Sequence, residues 1–299
     1  MNRKNLFLPI VGLATALITI TACDKGEDSV AVPVSGSEAG HDYVDLGLID
    51  VTSHTGNDVV NNIRVDTIYT TTFYFANCNI GANNPQDIGE YFAWGETETK
   101  NNYTLDDYFD KGENDNTYKK YNKDFKTIDT KKGQPNLIIP SETSIVLEPN
   151  DDVAFTKWGD SWHMPTSAMW GLLQSNCYWV WTSGYNGSNQ SGYIVYKTKK
   201  DTDKGRNKNE YTKAEFQSTE SYSLSDPHIF LPAGGRYIDS KCEGAGSEGC
   251  YWVSNLSDSE GYFTSANPGG VITRLRYHGR LVRPVHYVIE TKTVEVEIK

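Results

Sequence analysis

Positive charge is scarce in this 299-residue chain: 28 Lys and Arg stand against 39 Asp and Glu, a net charge of −11. That balance excludes a basic nucleic-acid footprint and reports mainly on solubility. Histidine is scarce as well. His41, His54, His163, His228, His278 and His286 are scattered, and none belongs to a His-Glu-x-x-His zinc helix or accompanies a Gly-x-Ser-x-Gly elbow. The main apolar run, 6–20, is short for a membrane span. Aromatics are what the chain has in quantity, at 12%, together with 26 glycines. This composition excludes a long disordered chain and favours a β-rich, turn-rich globule.

The N-terminus carries an export pattern. Arg3 and Lys4 precede the apolar run, and Ile20-Thr21-Ala22 places small residues directly before Cys23. This resembles the bacterial lipobox. The resemblance implies loss of residues 1–22, lipidation of Cys23 and a membrane anchor through that lipid. The acidic run 24–28 is similar to the signal that sends Bacteroidota lipoproteins to the cell surface, which implies an outer-membrane, surface-exposed address. Residues 23–40 read as a flexible tether. Export permits disulfides. Cys242 and Cys250 flank a short Gly/Glu loop and are expected to bridge. Cys78 and Cys177 are left open between a second bridge and two buried free thiols.

From residue 41 the chain reads as short strands broken by turns, with two helices. The segment 43–48 alternates polar and apolar residues, and 65–76 is rich in Thr, Tyr, Phe and Ile; both are expected strands. Residues 98–134 hold neither a period of 2 nor of 3.6 and read as a surface excursion over the core. Asn150 is an expected cap for a short helix that follows. The stretch 157–166 then packs Trp158, Trp162 and a Pro165-Thr166 helix entry into ten residues. Thr166 caps a second helix, about 167–175, whose Met169, Trp170, Leu172 and Leu173 share a face. A hairpin of 177–183 with 192–197 follows, then a polar excursion at 199–225 with a weak helical patch at 212–217. Further strands are expected at 229–236, 249–254, 262–264, 271–277 and 281–285. Residues 288–299 read as an added edge strand guarded by Lys and Glu. The fold class is α+β, with one domain over 41–287.

Eight sequence blocks lie in a fixed order: 43–48, 78–82, 89–97, 158–166, 176–181, 229–234, 251–254 and 279–285. Together they resemble Bacteroidota lipoproteins with a Fibrobacter succinogenes major paralogous domain. More distantly they are similar to the C-type-lectin-like fold, shared with formylglycine-generating enzymes and with the variable proteins of diversity-generating retroelements. The resemblance implies two helices, a small twisted antiparallel sheet and long loops. It also implies a non-enzymatic module that binds a glycan or protein ligand through the stretch 252–280. Asn255, Asp258, Tyr262, Arg274 and Arg276 are the candidate ligand contacts there, whereas Trp252 and Tyr277 read as core. No cofactor is expected. Glu148, Asn150, Asp151 and Asp152 form a weak Ca²⁺ candidate, set aside because the tripeptide 148–150 precedes the second helix and suits a cap. Two alternatives remain: a formylglycine-generating type of enzyme using Cys242 and Cys250, and a structural or pilus-tip subunit pairing through 288–298.

Overall fold

The computed structural model describes residues 30–114, 117–122, 146–256 and 259–298. The leader and Cys23, residues 123–134 of the first excursion and Asp258 lie outside them. Among the described residues the chain begins with β1 (Gly36–Glu38), β2 (His41–His54), β3 (Val59–Val60) and β4 (Ile63–Ala76). Helices α1 (Val153–Trp158) and α2 (Ser167–Asn176) follow, then β5 (Cys177–Thr182), β6 (Gly192–Lys197), β7 (Asn207–Lys208) and β8 (His228–Pro232). The last elements are β9 (Arg236–Ile238), β10 (Lys241–Glu243), β11 (Glu248–Trp252), β12 (Ser259–Thr264), β13 (Asn267–Thr273) and β14 (Val285–Glu297). The architecture is α+β: two helices packed among small, mostly antiparallel sheets in the orders β1-β2-β4-β14, β7-β5-β6-β8, β11-β12-β13 and β10-β9.

The helices form where their caps place them. Thr166 accepts a hydrogen bond from the Met169 amide at 3.2 Å, and Met169, Trp170 and Leu173 are buried. The cap of α1 is not Asn150 but Asp152. Its Oδ1 accepts from the amides of Ala154 and Phe155, and its Oδ2 accepts from Met164 at 2.8 Å. Asp152 therefore ties α1 to the far end of the 157–166 turn as well as capping it. Asn150 sits one turn earlier, in the 3-10 turn Pro149–Asp151. The patch at 212–217 is likewise a single 3-10 turn, Ala214–Phe216. Neither segment has the length that repays helix nucleation.

The tether is shorter than expected. Residues 36–38 pair with β2, and the carbonyl of Glu38 accepts from the indole of fully buried Trp162 at 3.0 Å. A buried indole needs that acceptor, so the core recruits residues composition had assigned to a linker. The domain boundary expected at 287/288 falls within β14. All thirteen of its residues pair with β4, from Val285↔Phe75 to Glu297↔Ile63. The outer parts of β2 and β4, over 49–72, form a long hairpin. Asn61 and Asn62 at φ 53° and 63° make the tight turn between β3 and β4, the left-handed pair that such hairpin turns require.

The expected strand at 271–277 holds only as far as Thr273, the end of β13, and that at 281–285 gives way to something more central. From Arg276 to Val285 the chain threads between the sheets and bonds to each in turn. Trp94 donates to the Arg276 carbonyl, Phe92 and Arg280 exchange both bonds, and Tyr237 and Gly279 do the same. Trp252 donates to Leu281, Ile80 to Val282, Ala76 to Pro284, and His163 exchanges both bonds with Val285. Arginines fill the space alongside. Arg283 is fully buried and donates to Asn79 Oδ1, the Ala76 carbonyl and the Phe230 carbonyl at 2.7–2.9 Å. Replacing it with an apolar residue strands three buried acceptors. Arg283→Met is therefore expected to cost about 3–5 kcal/mol in urea denaturation. Arg274→Ala, at an exposed position, is expected to cost under about 0.5 kcal/mol.

Candidate functional site

The stretch 252–280 is mostly scaffold. Asn255 is buried, and its Oδ1 accepts from the Ser167 amide at 2.5 Å in the first turn of α2. Arg276 is buried too. Its guanidinium lies 3.9 Å over the Tyr118 ring and 4.8 Å over Trp94, and donates to the carbonyls of Tyr121 and Leu256. These two expected ligand contacts are corrected to structural roles: each satisfies backbone groups that would otherwise be orphaned. Trp252 is buried as expected, its indole donating to the Phe92 carbonyl at 2.8 Å, and Tyr277 is half-buried. Tyr262 is half-buried and Arg274 exposed, with the guanidinium 5.7 Å from the ring. Arg274 Nε also approaches buried Glu260 at 3.2 Å, and Glu260 in turn pairs with buried Arg280.

The four cysteines among the described residues are free thiols. The expected Cys242–Cys250 bridge does not form. The intervening loop joins two strands of different sheets, with Cys242 on β10 paired opposite Tyr237 and Cys250 on β11 opposite Tyr262. Cys242 is exposed, its Sγ 3.5 Å from the Gly234 carbonyl. Cys250 is buried, and burial raises its pKa although Arg280 and Arg236 pull the other way. Cys177 is buried and its thiol pKa is strongly raised by burial, and Cys78 is half-buried. Of the two readings left open for Cys78 and Cys177, the structure has the free thiols.

The calcium candidate does not converge. Lys120 pairs with Glu148 and Asp151 at 2.5 Å each, and the Tyr121 hydroxyl also donates to Asp151. Asp152 points away, into its cap. Among the described residues no cluster of three or more His, Cys, Asp or Glu side chains is placed to hold a metal ion. His163 is packed in the 157–166 turn. It is buried between the rings of Phe155 and Tyr287, with centroids at 5.9 and 5.5 Å. Burial, with help from nearby His286, holds its pKa down at about 4.

What sequence reading missed is a cleft of about 390 Å³ between the segment 90–103 and the β9–β10 hairpin. Tyr91, Tyr103 and Tyr237 form its aromatic wall. Tyr237 meets Tyr91 edge-to-face at 4.8 Å and Tyr103 at 5.7 Å. The walls are pinned from behind. Tyr91 donates to the Gly234 carbonyl, Tyr103 donates to the Tyr91 carbonyl, and the Tyr103 ring packs where a Cβ on Gly279 would lie 2.8 Å away. Glu90, Thr99, Lys100, Asn101 and Ser240 supply polar groups around the mouth. Burial pushes Tyr103 up to about 12 and Tyr91 higher still, so both phenols stay neutral at physiological pH. The tyrosines were visible in the sequence, but their convergence was not, because the two walls come from distant segments that meet through Gly279 and through the bond from the Tyr103 amide to the Asp239 carbonyl. Comparison with protein-family models, with curated proteins and with solved structures returns no match for this chain.

Two measurements check these assignments. Under native conditions a thiol reagent is expected to label Cys242 first, while Cys177 and Cys250 react only after unfolding; failure of Cys242 and Cys250 to react in denaturant without reductant would reveal the bridge. The second measurement is stability against pH. The unfolded chain protonates His163 near 6.5, whereas the fold resists until about 4. Stability is thus fully present above about 6.5 and falls as pH drops towards 4, by about 3 kcal/mol. Asp152, pushed up to about 6 by burial, acts in the opposite sense below that pH, equally in both proteins compared. His163→Phe is expected to flatten the acid loss relative to the parent in urea titrations.

Proposed function

We propose that the chain is a lipid-anchored cell-envelope protein, held at the outer membrane through Cys23, whose C-type-lectin-like domain binds a glycan in the tyrosine cleft. The observation that carries this reading is the cleft itself. Pinned aromatic rings beside a carboxylate, an ammonium, an amide and hydroxyls are the combination that sugar rings require, with apolar faces to stack on and a rim of hydroxyls to bond. The eight sequence blocks support the family and the fold, and Cys23 supports the anchor. The cleft replaces 252–280 as the candidate ligand site.

The formylglycine-generating alternative finds less support. It needs a reactive cysteine pair, and Cys250 is a buried thiol with a raised pKa. The cleft's two pinned phenols are likewise poor bases at neutral pH. Glycan arrays followed by calorimetry test the binding reading. Binding is expected to survive EDTA, since Glu148 and Asp151 are engaged by Lys120. Tyr237→Ala is expected to weaken it about tenfold with the fold intact. An array without hits, or full affinity in Tyr237→Ala, would count against the cleft.

A further inference from the structure

The hairpin β2–β4 and strand β14 form a three-stranded ribbon that runs past the body of the protein. Its outer half leaves aliphatic side chains exposed on both faces. Ile49, Val51 and Val288 are 52%, 60% and 45% exposed on one face; Ile63, Val65 and Ile289 are 38%, 46% and 38% exposed on the other. β14 is the last strand of its sheet. His163 occupies its outer edge at Val285, and beyond that point no strand pairs with this edge among the described residues. A long, β-branched, unpaired edge is a template for strand pairing.

The charges on that edge select the partner. Glu290 and Lys292 flank Thr291, project from the same face, and among the described residues neither makes an ion pair within its own chain. We propose that the chain pairs with a second copy of itself along β14, antiparallel, with Thr291 opposite Thr291 on a twofold axis. This register sets each Glu290 opposite the other copy's Lys292, twice by symmetry, and Val288 opposite Val294. No like charges face each other over 288–294. Centring the pair on Glu290 or on Lys292 instead opposes like charges, and intermediate shifts lose the opposite-charge pairs. The free edge of β2 offers no such match: 49–54 carries Asp50 and no lysine or arginine. The pairing makes a continuous sheet from the two ribbons and does not rest on the glycan reading.

Sedimentation equilibrium of the purified protein, in a Cys242→Ser background, tests this. A concentration-dependent dimer is expected, weak because a strand edge buries little area. Glu290→Lys and Lys292→Glu are each expected to weaken it about tenfold, and the double exchange E290K/K292E to restore it to within about threefold. The sites are exposed, so circular dichroism and thermal midpoints are expected to match the parent. Thr291→Cys is expected to cross-link to its symmetry mate under mild oxidation, and Val296→Cys not to. A monomer at all concentrations, or a double exchange as weak as its parents, would overturn the proposal.

Discussion

The buried guanidinium of Arg283 is the constraint on which the rest of the structure leans. Among the described residues it has no carboxylate partner. Its three acceptors come from the end of β4, from the Asn79 turn and from β8, which belong to separate sheets or to none. A charge this deep is tolerated only when every donor direction is met. Meeting those directions fixes where the three segments lie relative to one another. Arg280 and Arg276 repeat the arrangement along the same run, one held by Glu260 and over Trp252, the other stacked between Trp94 and Tyr118. The sheets share one hydrophobic cluster, and this closing segment, which enters it with Leu281 and Val285, bonds them to one another.

That organisation explains which parts were legible in the sequence. Elements governed by local rules could be read well. The Thr166 cap, the buried face of α2 and the β5–β6 hairpin all follow from neighbours in the chain. Elements governed by the core could not. Asn255 and Arg276 carry the side chains of a binding surface, yet both turn inward to satisfy helix and loop backbone. Cys242 and Cys250 are near in sequence and sit in different sheets. Residues 30–40 have linker composition, yet the buried indole of Trp162 recruits Glu38. The part of the ribbon from 49 to 64 was missed because it mixes polar and β-branched residues on both faces, which erases the alternation that marks a half-buried strand.

The same scaffold positions the two surfaces proposed for function. The tyrosine cleft stands on Gly279 and Gly234, where the absence of side chains lets Tyr103 and Tyr91 approach the backbone. The ribbon stands on Val285, where His163 closes one edge and leaves the rest of β14 open. Both proposed sites border the closing segment, the cleft at Gly279 and the strand edge at Val285.

Native-state hydrogen exchange tests the central claim most directly. The amides of Ile80, Phe92, Trp94, Trp252, Tyr237 and His163 all donate into the closing segment. They are predicted to exchange only through global unfolding, with one common free energy and one common denaturant slope, while the outer ribbon amides exchange through local opening. If these six amides instead opened in separate steps, each with its own sheet, the closing segment would not be the element that unites the fold.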